Sequence, residues 1–444
     1  GWQFDMPAHY GLQVVRLDDN DAAFDLNLKP DDQSSSGAQM DWFDIEIGTR
    51  IDGAEVDLAP IILAWLATLK PGARVERIES LLHFETGPAE ILLPLSNDRL
   101  IALNPVRLKP ILEALLKIFS PREITEGVTK VPSNRMAELV EIEGLNTLNR
   151  DWANGSKGAQ LVQALANWSS RPETKVPDHF RAVLRPYQKQ GLEWLQLLYE
   201  VGMGGCLADD MGLGKTVQTL AHISVLKEQG QLDRPVLIIA PTSVLPNWVH
   251  ETERFAPNLK VLALSGPDRA DLKHEVAGAD VVLSSYALLP RDEDWLCDRT
   301  FSLVVFDEAQ NIRNPITAAA KAAFKLKAHQ HIALSGTPVE NHLGDVWSLM
   351  RFLNPGLLGS QKQFQADFRK PIEKDNDLDA RARLARRIRP FLLRRTKSEV
   401  ATDLPDRTET NHDIVLNDSQ RDLYEATRTA MQQRVITAMG AKGL

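Results

Sequence analysis

The chain has 444 residues, 43% apolar and 25% charged, enough to bury sizeable cores in two to three domains at roughly 150 residues each. Its two cysteines, Cys206 and Cys297, make neither a disulfide framework nor a CxxC clip, which argues against redox and zinc chemistry. The net charge of −9 taken alone argues against a nucleic-acid binder, but residues 1–179 carry 27 acidic against 17 basic side chains and residues 180–444 carry 33 against 34, so the negative excess sits at the front.

The opening GWQFDMPAHYG lacks the basic start and apolar run of a secretory signal, which points to a processed or cloned end and a reducing, cytoplasmic setting. QSSSG, 33–37, reads as a flexible loop. Alternation in WFDIEIGTRIDGAEVDL, Trp42 to Leu58, predicts two short strands around an Asp52–Gly53 turn. The longest apolar stretch, Leu58 to Leu69, is about half the roughly 20 residues needed to span a bilayer and contains Pro60, so no membrane partner is expected. Helical patterns follow from Ala59 and from Arg107; in the second, Leu108, Ile111, Leu112, Leu115, Leu116 and Phe119 recur at core spacing. SSRPETKVPDH, Ser169 to His179, is the linker candidate. Residues 1–175 are therefore expected to form an acidic α+β accessory domain.

After the linker, β-rich runs appear at Gly205–Ala208, Val236–Ala240, Val261–Leu264, Val281–Ser284, Leu303–Phe306 and Ile332–Leu334, with helical patterns in most gaps. This alternation predicts an α/β fold, a doubly wound parallel sheet covered on both faces that binds ligands beyond its strand ends. The first such loop is Asp209-Asp210-Met211-Gly212-Leu213-Gly214-Lys215-Thr216. Its glycines let backbone approach phosphate, the helix starting near Lys215 offers amide hydrogens to the anion, and Thr216 can ligate Mg²⁺. Asp209 stands where the usual GxxxxGK[ST] pattern has its first glycine. LVVFDEAQ, Leu303 to Gln310, ends another apolar run in two carboxylates: Asp307 suits Mg²⁺, and Glu308 can orient or deprotonate an attacking water.

LRPYQKQGLEWL, ADDMGLGKTVQTL, IIAPTSVLPNW, VVFDEAQNIRN, LSGTPVENHLGDVWSLMRFLNPGLLG and FLLRRTKSEVATDLP together resemble the successive first-lobe motifs of the Swi/Snf-type DNA translocases of helicase superfamily 2. The match covers roughly Val183 to Pro405. Gln310 departs from the histidine most common in that family. The resemblance implies a RecA-like P-loop NTPase lobe at 176–405 with a helical insertion near 340–400. ATP would be bound by Arg185, Gln188 (reading the adenine edge), Asp210, Met211, Gly212, Leu213, Gly214, Lys215 and Thr216, with Lys215, Asp307 and Glu308 catalytic and Thr216 and Asp307 on the metal. Gln310, Ser335, Gly336 and Thr337 would couple to the γ-phosphate. Thr242, Ser243, Asn247, Trp248, Ser284 and Ser285 would face the sugar-phosphate backbone of DNA, giving salt-sensitive, sequence-independent binding. The basic run Arg381 to Lys397, with eight Arg or Lys and no acid, reads either as a solvated helix with one buried stripe or as an electropositive DNA patch.

The tail 406–444 resembles the hinge and opening helix of a second lobe. On that reading the piece lacks the arginine finger of the second lobe and hydrolyses ATP barely. The expectation is thus the N-terminal part of a bacterial-type, DNA-stimulated ATPase. It would use ATP and Mg²⁺, translocate on double-stranded DNA, and displace a DNA-bound protein or act on RNA polymerase, in a nucleoid-associated cytoplasmic setting. A strand-separating helicase or restriction-type motor, and a non-hydrolytic docking module, remain the alternatives. The front acidity reads either as a shield over the DNA cleft or as a solvated surface.

Overall fold

The computed structural model describes residues 13–16, 25–30, 42–51, 54–68, 90–95, 99–132, 135, 173–336, 343–400 and 414–442. The loop expected at 33–37, the turn residues Asp52 and Gly53, the first residues of the linker candidate and Thr337 lie outside them. By contacts the chain divides into a compact unit of residues 1–400 and a second of residues 401–444. In the second, the described element is the helix Asp418–Lys442.

The first unit holds two hydrophobic cores. In the front one, strand β1 (Gln13–Arg16) runs parallel to β6 (Arg99–Leu103), which pairs antiparallel with β5 (Ile91–Pro94). A second sheet is built around β3 (Trp42–Ile51), flanked by β2 (Asp25–Pro30), β4 (Ala54–Asp57) and β7 (Lys130–Pro132), all antiparallel to it. Ile51 opposite Ala54 closes the β3–β4 hairpin. Alternation along β3 drives Ile45 and Ile47 into the core, where the helices Ala59–Thr68 and Pro105–Ile118 supply Ile62, Leu63, Leu66, Leu108, Leu112 and Leu115.

The larger core is a seven-stranded, all-parallel sheet in the order β10-β11-β9-β12-β13-β8-β14. These strands are β8 (Gly205–Leu207), β9 (Val236–Ala240), β10 (Val261–Ala263), β11 (Val281–Ser285), β12 (Thr300–Asp307), β13 (Lys327–Leu334) and β14 (Leu392–Leu393). Val236 to Ala240 and Val281 to Ser285 are buried without interruption, which requires cover on both faces of the sheet and explains why these strands read as continuous apolar runs.

β14 is not visible as a strand in the sequence. Leu384, Ile388, Phe391 and Leu392 read as one helical stripe, but the helix Leu378–Ile388 ends before Pro390, whose ring cannot continue it, and Leu392 and Leu393 pair in parallel with Cys206 and Leu207. Between β13 and β14 the chain makes the helices Leu343–Leu353, Gln361–Phe364, Lys370–Asp375 and Leu378–Ile388, with a π-helical turn at Gln365–Arg369.

Candidate active site

β12, β13 and β8 are neighbours, with Leu207 opposite Leu334 and Leu334 opposite Asp307. The loop after Leu207, the Ser335–Gly336 pair and the Asp307–Glu308 couplet therefore leave the sheet along one edge, the outer two about 10 Å apart at two strand spacings. This is the carboxyl edge, where open parallel sheets take their ligands.

In the first loop Gly212 and Gly214 adopt φ of 86° and 78°, and Gly214 caps the helix Lys215–Glu228. A Cβ on Gly214 would lie 2.5 Å from Gln188 Nε2, so left-handed backbone and close approach both demand glycine there. The first-turn amides of that helix have no intrahelical acceptor and suit an anion. Lys215 Nζ donates to the carbonyls of Asp209 at 2.7 Å and Asp210 at 3.4 Å. Gln188 takes the Arg185 N–H on Oε1 at 2.9 Å and donates from Nε2 to the Leu213 carbonyl at 3.1 Å, so both ends of the amide assigned to adenine are tied to its own helix start and the glycine loop. Met211 is 63% exposed, and its Cγ lies 3.2 Å from where a Cβ on Gly336 would stand, which brings the Ser335–Gly336 turn against the loop.

Asp307 ends β12 with both carboxylate oxygens engaged: Oδ2 accepts from Trp248 Nε1 at 2.9 Å and Oδ1 from the Glu308 N–H at 2.9 Å. Each oxygen keeps acceptor capacity for one more partner. Burial pushes the Asp307 carboxyl up, against the Trp248 hydrogen bond and, more weakly, the Lys215 charge. Glu308 sits at φ 50°, an uncommon conformation for a side-chain-bearing residue and one that recurs at functional sites. Tyr286 Oη, just past the end of β11, donates to the Asp307 carbonyl at 2.7 Å and fixes this turn. Gln310 bridges the next step, donating from Nε2 to Glu308 Oε2 at 2.6 Å and accepting from Ser335 Oγ on Oε1 at 3.2 Å. An amide can donate and accept at once, so the glutamine links the acidic couplet to the neighbouring strand end.

Thr216 and Asp307 offer a hydroxyl and a carboxylate, hard oxygen donors of the kind Mg²⁺ takes alongside phosphate and water. Among the described residues no three His, Cys, Asp or Glu side chains form a metal cage, and the donor set fits an ion held mainly by its substrate. Glu251, unassigned from sequence, is half-buried on the helix Leu245–Phe255, and burial pushes its carboxyl up.

The SNF2-related domain family matches residues 187–443. The chain belongs to the SNF2-related family. It is 48% identical over 270 residues to YwqA of Bacillus subtilis, covering 60% of this chain and 29% of YwqA. It is 33% identical over 314 residues to the chromatin-remodeling ATPase INO80 of Arabidopsis thaliana, covering 66% of this chain and 20% of INO80. The SWI2/SNF2 ATPase core of Sulfolobus solfataricus, solved in complex with double-stranded DNA, superposes with a TM-score of 0.50 at 42% identity over 60% of this chain and 56% of that one. The chain thus spans under a third of these two curated relatives, and the parallel sheet is the RecA-like lobe of the SNF2-related fold.

On the expected DNA side of this SNF2-related lobe, Thr242, Ser243 and Asn247 are exposed, while three assignments need correction. Trp248 is 1% exposed and its indole N–H is spent on Asp307. Ser284 and Ser285 are 1% and 2% exposed because β11 continues through both. None of the three presents a side chain to a strand outside the lobe. The basic run is also not one patch: Arg383, Arg387 and Arg395 are buried. Arg387 lies over the Phe368 ring, 5.1 Å from its centroid. Arg395 clasps the fully buried Asp209, from Nε to Oδ1 at 2.9 Å and Nη2 to Oδ2 at 2.5 Å, and reaches Gln218 Oε1 at 2.9 Å. Gly191 makes room for this cluster, since a Cβ there would stand 2.0 Å from Gln218 Oε1. The block FLLRRTKSEVATDLP contains Arg395 but does not name its partner; only the fold brings it to the loop.

Proposed function

We propose that this chain is the ATP-binding lobe, with its accessory segment 1–175, of a DNA-stimulated ATPase that couples hydrolysis to translocation on double-stranded DNA and remodels protein–DNA complexes. The observation that carries this reading is the single row of strand ends at Leu207, Leu334 and Asp307, which sets phosphate loop, coupling turn and acidic couplet side by side. Family membership and the DNA-bound state of the Sulfolobus core support it.

In this mechanism the amides of the 212–216 turn and the Lys215 ammonium hold the phosphates, and Gln188 and Arg185 meet the base. Thr216 and Asp307 would hold Mg²⁺, which when bound neutralises charge on the phosphate oxygens. Glu308 accepts a proton from the attacking water, and Gln310 passes the position of that carboxylate to Ser335. Thr242, Ser243 and Asn247 face the DNA backbone through donors that carry no sequence information.

The test is Glu308→Gln in the full-length protein. Loss of a general base typically costs about 10² to 10⁴ in rate, so DNA-stimulated turnover falls by that order while ATP affinity stays within about threefold. Full turnover in the variant overturns the assignment. Triplex displacement without strand separation supports translocation over the helicase alternative.

A further inference from the structure

The helix Leu245–Phe255 joins two places that the proposed function treats separately. Its entry, Thr242 and Ser243, and its first turn at Asn247 are exposed. One residue on, Trp248 is buried and donates its indole N–H to Asp307 Oδ2 at 2.9 Å. One of the two residues suited to the metal is thus held directly by this helix. Thr252 donates to the Trp248 carbonyl at 2.7 Å, and Tyr286 donates to the Asp307 carbonyl.

We propose that Trp248 is a positioning residue for the Asp307 carboxylate, so that the helix entered through the exposed Thr242 and Ser243 and carrying the exposed Asn247 sets the geometry of the carboxylate suited to the metal. The inference rests on the ATPase reading for its consequence, DNA contact at one end of a rigid helix tuning the metal site at the other, but not for its geometry. A hydrogen bond to a ligating carboxylate fixes which lone pair faces the ion, and removing such a partner typically costs about 10- to 100-fold in metal affinity or activity.

Trp248→Phe keeps most of the ring and deletes the donor. In the full chain the Mg²⁺ concentration for half-maximal DNA-stimulated hydrolysis rises about tenfold or more, while duplex affinity without nucleotide and ATP affinity in EDTA change less than about twofold. A second measurement needs no turnover: the ¹⁵N–¹H indole resonance assigned to Trp248 moves in Asp307→Asn, and moves again when Mn²⁺ is added with a non-hydrolysable ATP analogue to the wild type. An active wild type with an unchanged Mg²⁺ dependence in Trp248→Phe overturns this inference alone. An inactive wild type overturns the ATPase reading, and an indole resonance indifferent to Asp307→Asn overturns the positioning role whatever the activity.

Discussion

Asp209 has no exposure and replaces the first glycine of the common phosphate-loop pattern, and its carboxylate is neutralised by Arg395 from nearly two hundred residues away. Leu393, Arg395 and Lys397 add backbone bonds to Ala208, Asp210 and the Asp210 carboxylate at 2.7, 3.1 and 3.0 Å. The loop is thereby sewn to β14. Deleting one partner of a buried ion pair leaves the other charge uncompensated, at about 3–5 kcal/mol. Arg395→Met is accordingly expected to lower unfolding stability by that order, and the double variant Arg395→Met, Asp209→Leu to recover much of it, as read by urea unfolding of each. Equal losses in single and double variants would show that the cluster is not an isolated charge pair.

At the scale of elements, the central strands were legible because each is a continuous apolar run bounded by polar loops. Their ends were less so. Thr300 and Ser302 extend β12 backwards because Ser302 finds Asp233 at 2.9 Å, and Ser284 and Ser285 stay in β11 despite their hydroxyls. A polar residue that meets a partner inside the fold looks the same in sequence as one that meets water. β14 escaped because Leu392 continues the helical spacing of Leu384 and Ile388, and only pairing to β8 makes Leu392 and Leu393 a strand. The Gly212–Gly214 turn and the Asp307–Glu308 pair were legible from local spacing as turns at strand ends, and the surroundings of the helix Leu245–Phe255 were not: spacing shows that Trp248 and Glu251 share a face but not what that face meets.

Across the whole first unit, the two cores touch through charge. Arg122 pairs with Asp367 at 3.2 Å, and Arg387 reaches the Ile118 carbonyl at 3.4 Å, so the front core is held to the helices that lead into β14. Glu123 lies at this contact; burial would raise its carboxyl, but Arg135 and Arg387 bring it down to about 2. Its contribution is present above the ordinary carboxylate range and is lost as pH falls through about 2. His222, fully buried on the helix Lys215–Glu228, takes the Gln196 amide on Nδ1 and gives Nε2–H to Gln330 Oε1, both at 2.9 Å, and burial pushes it down to about 4. The unfolded chain binds this proton near pH 6.5 and the native chain does not, so stability falls as pH drops from about 6.5 toward 4, by at most about 1.4 kcal/mol per pH unit. The difference in melting temperature between wild type and His222→Gln is therefore expected to shrink on acidification across that window; a constant difference would contradict it.

The proposed ATPase requires one ion shared between a triphosphate at the 212–216 loop and the Asp307–Glu308 couplet. Anomalous scattering from a crystal grown with Mn²⁺ and a non-hydrolysable ATP analogue tests this most directly. A single peak between the Thr216 hydroxyl and the Asp307 carboxylate, beside the terminal phosphates, is the predicted result. A nucleotide bound away from the Lys215 helix, or a metal peak remote from Asp307, would contradict it.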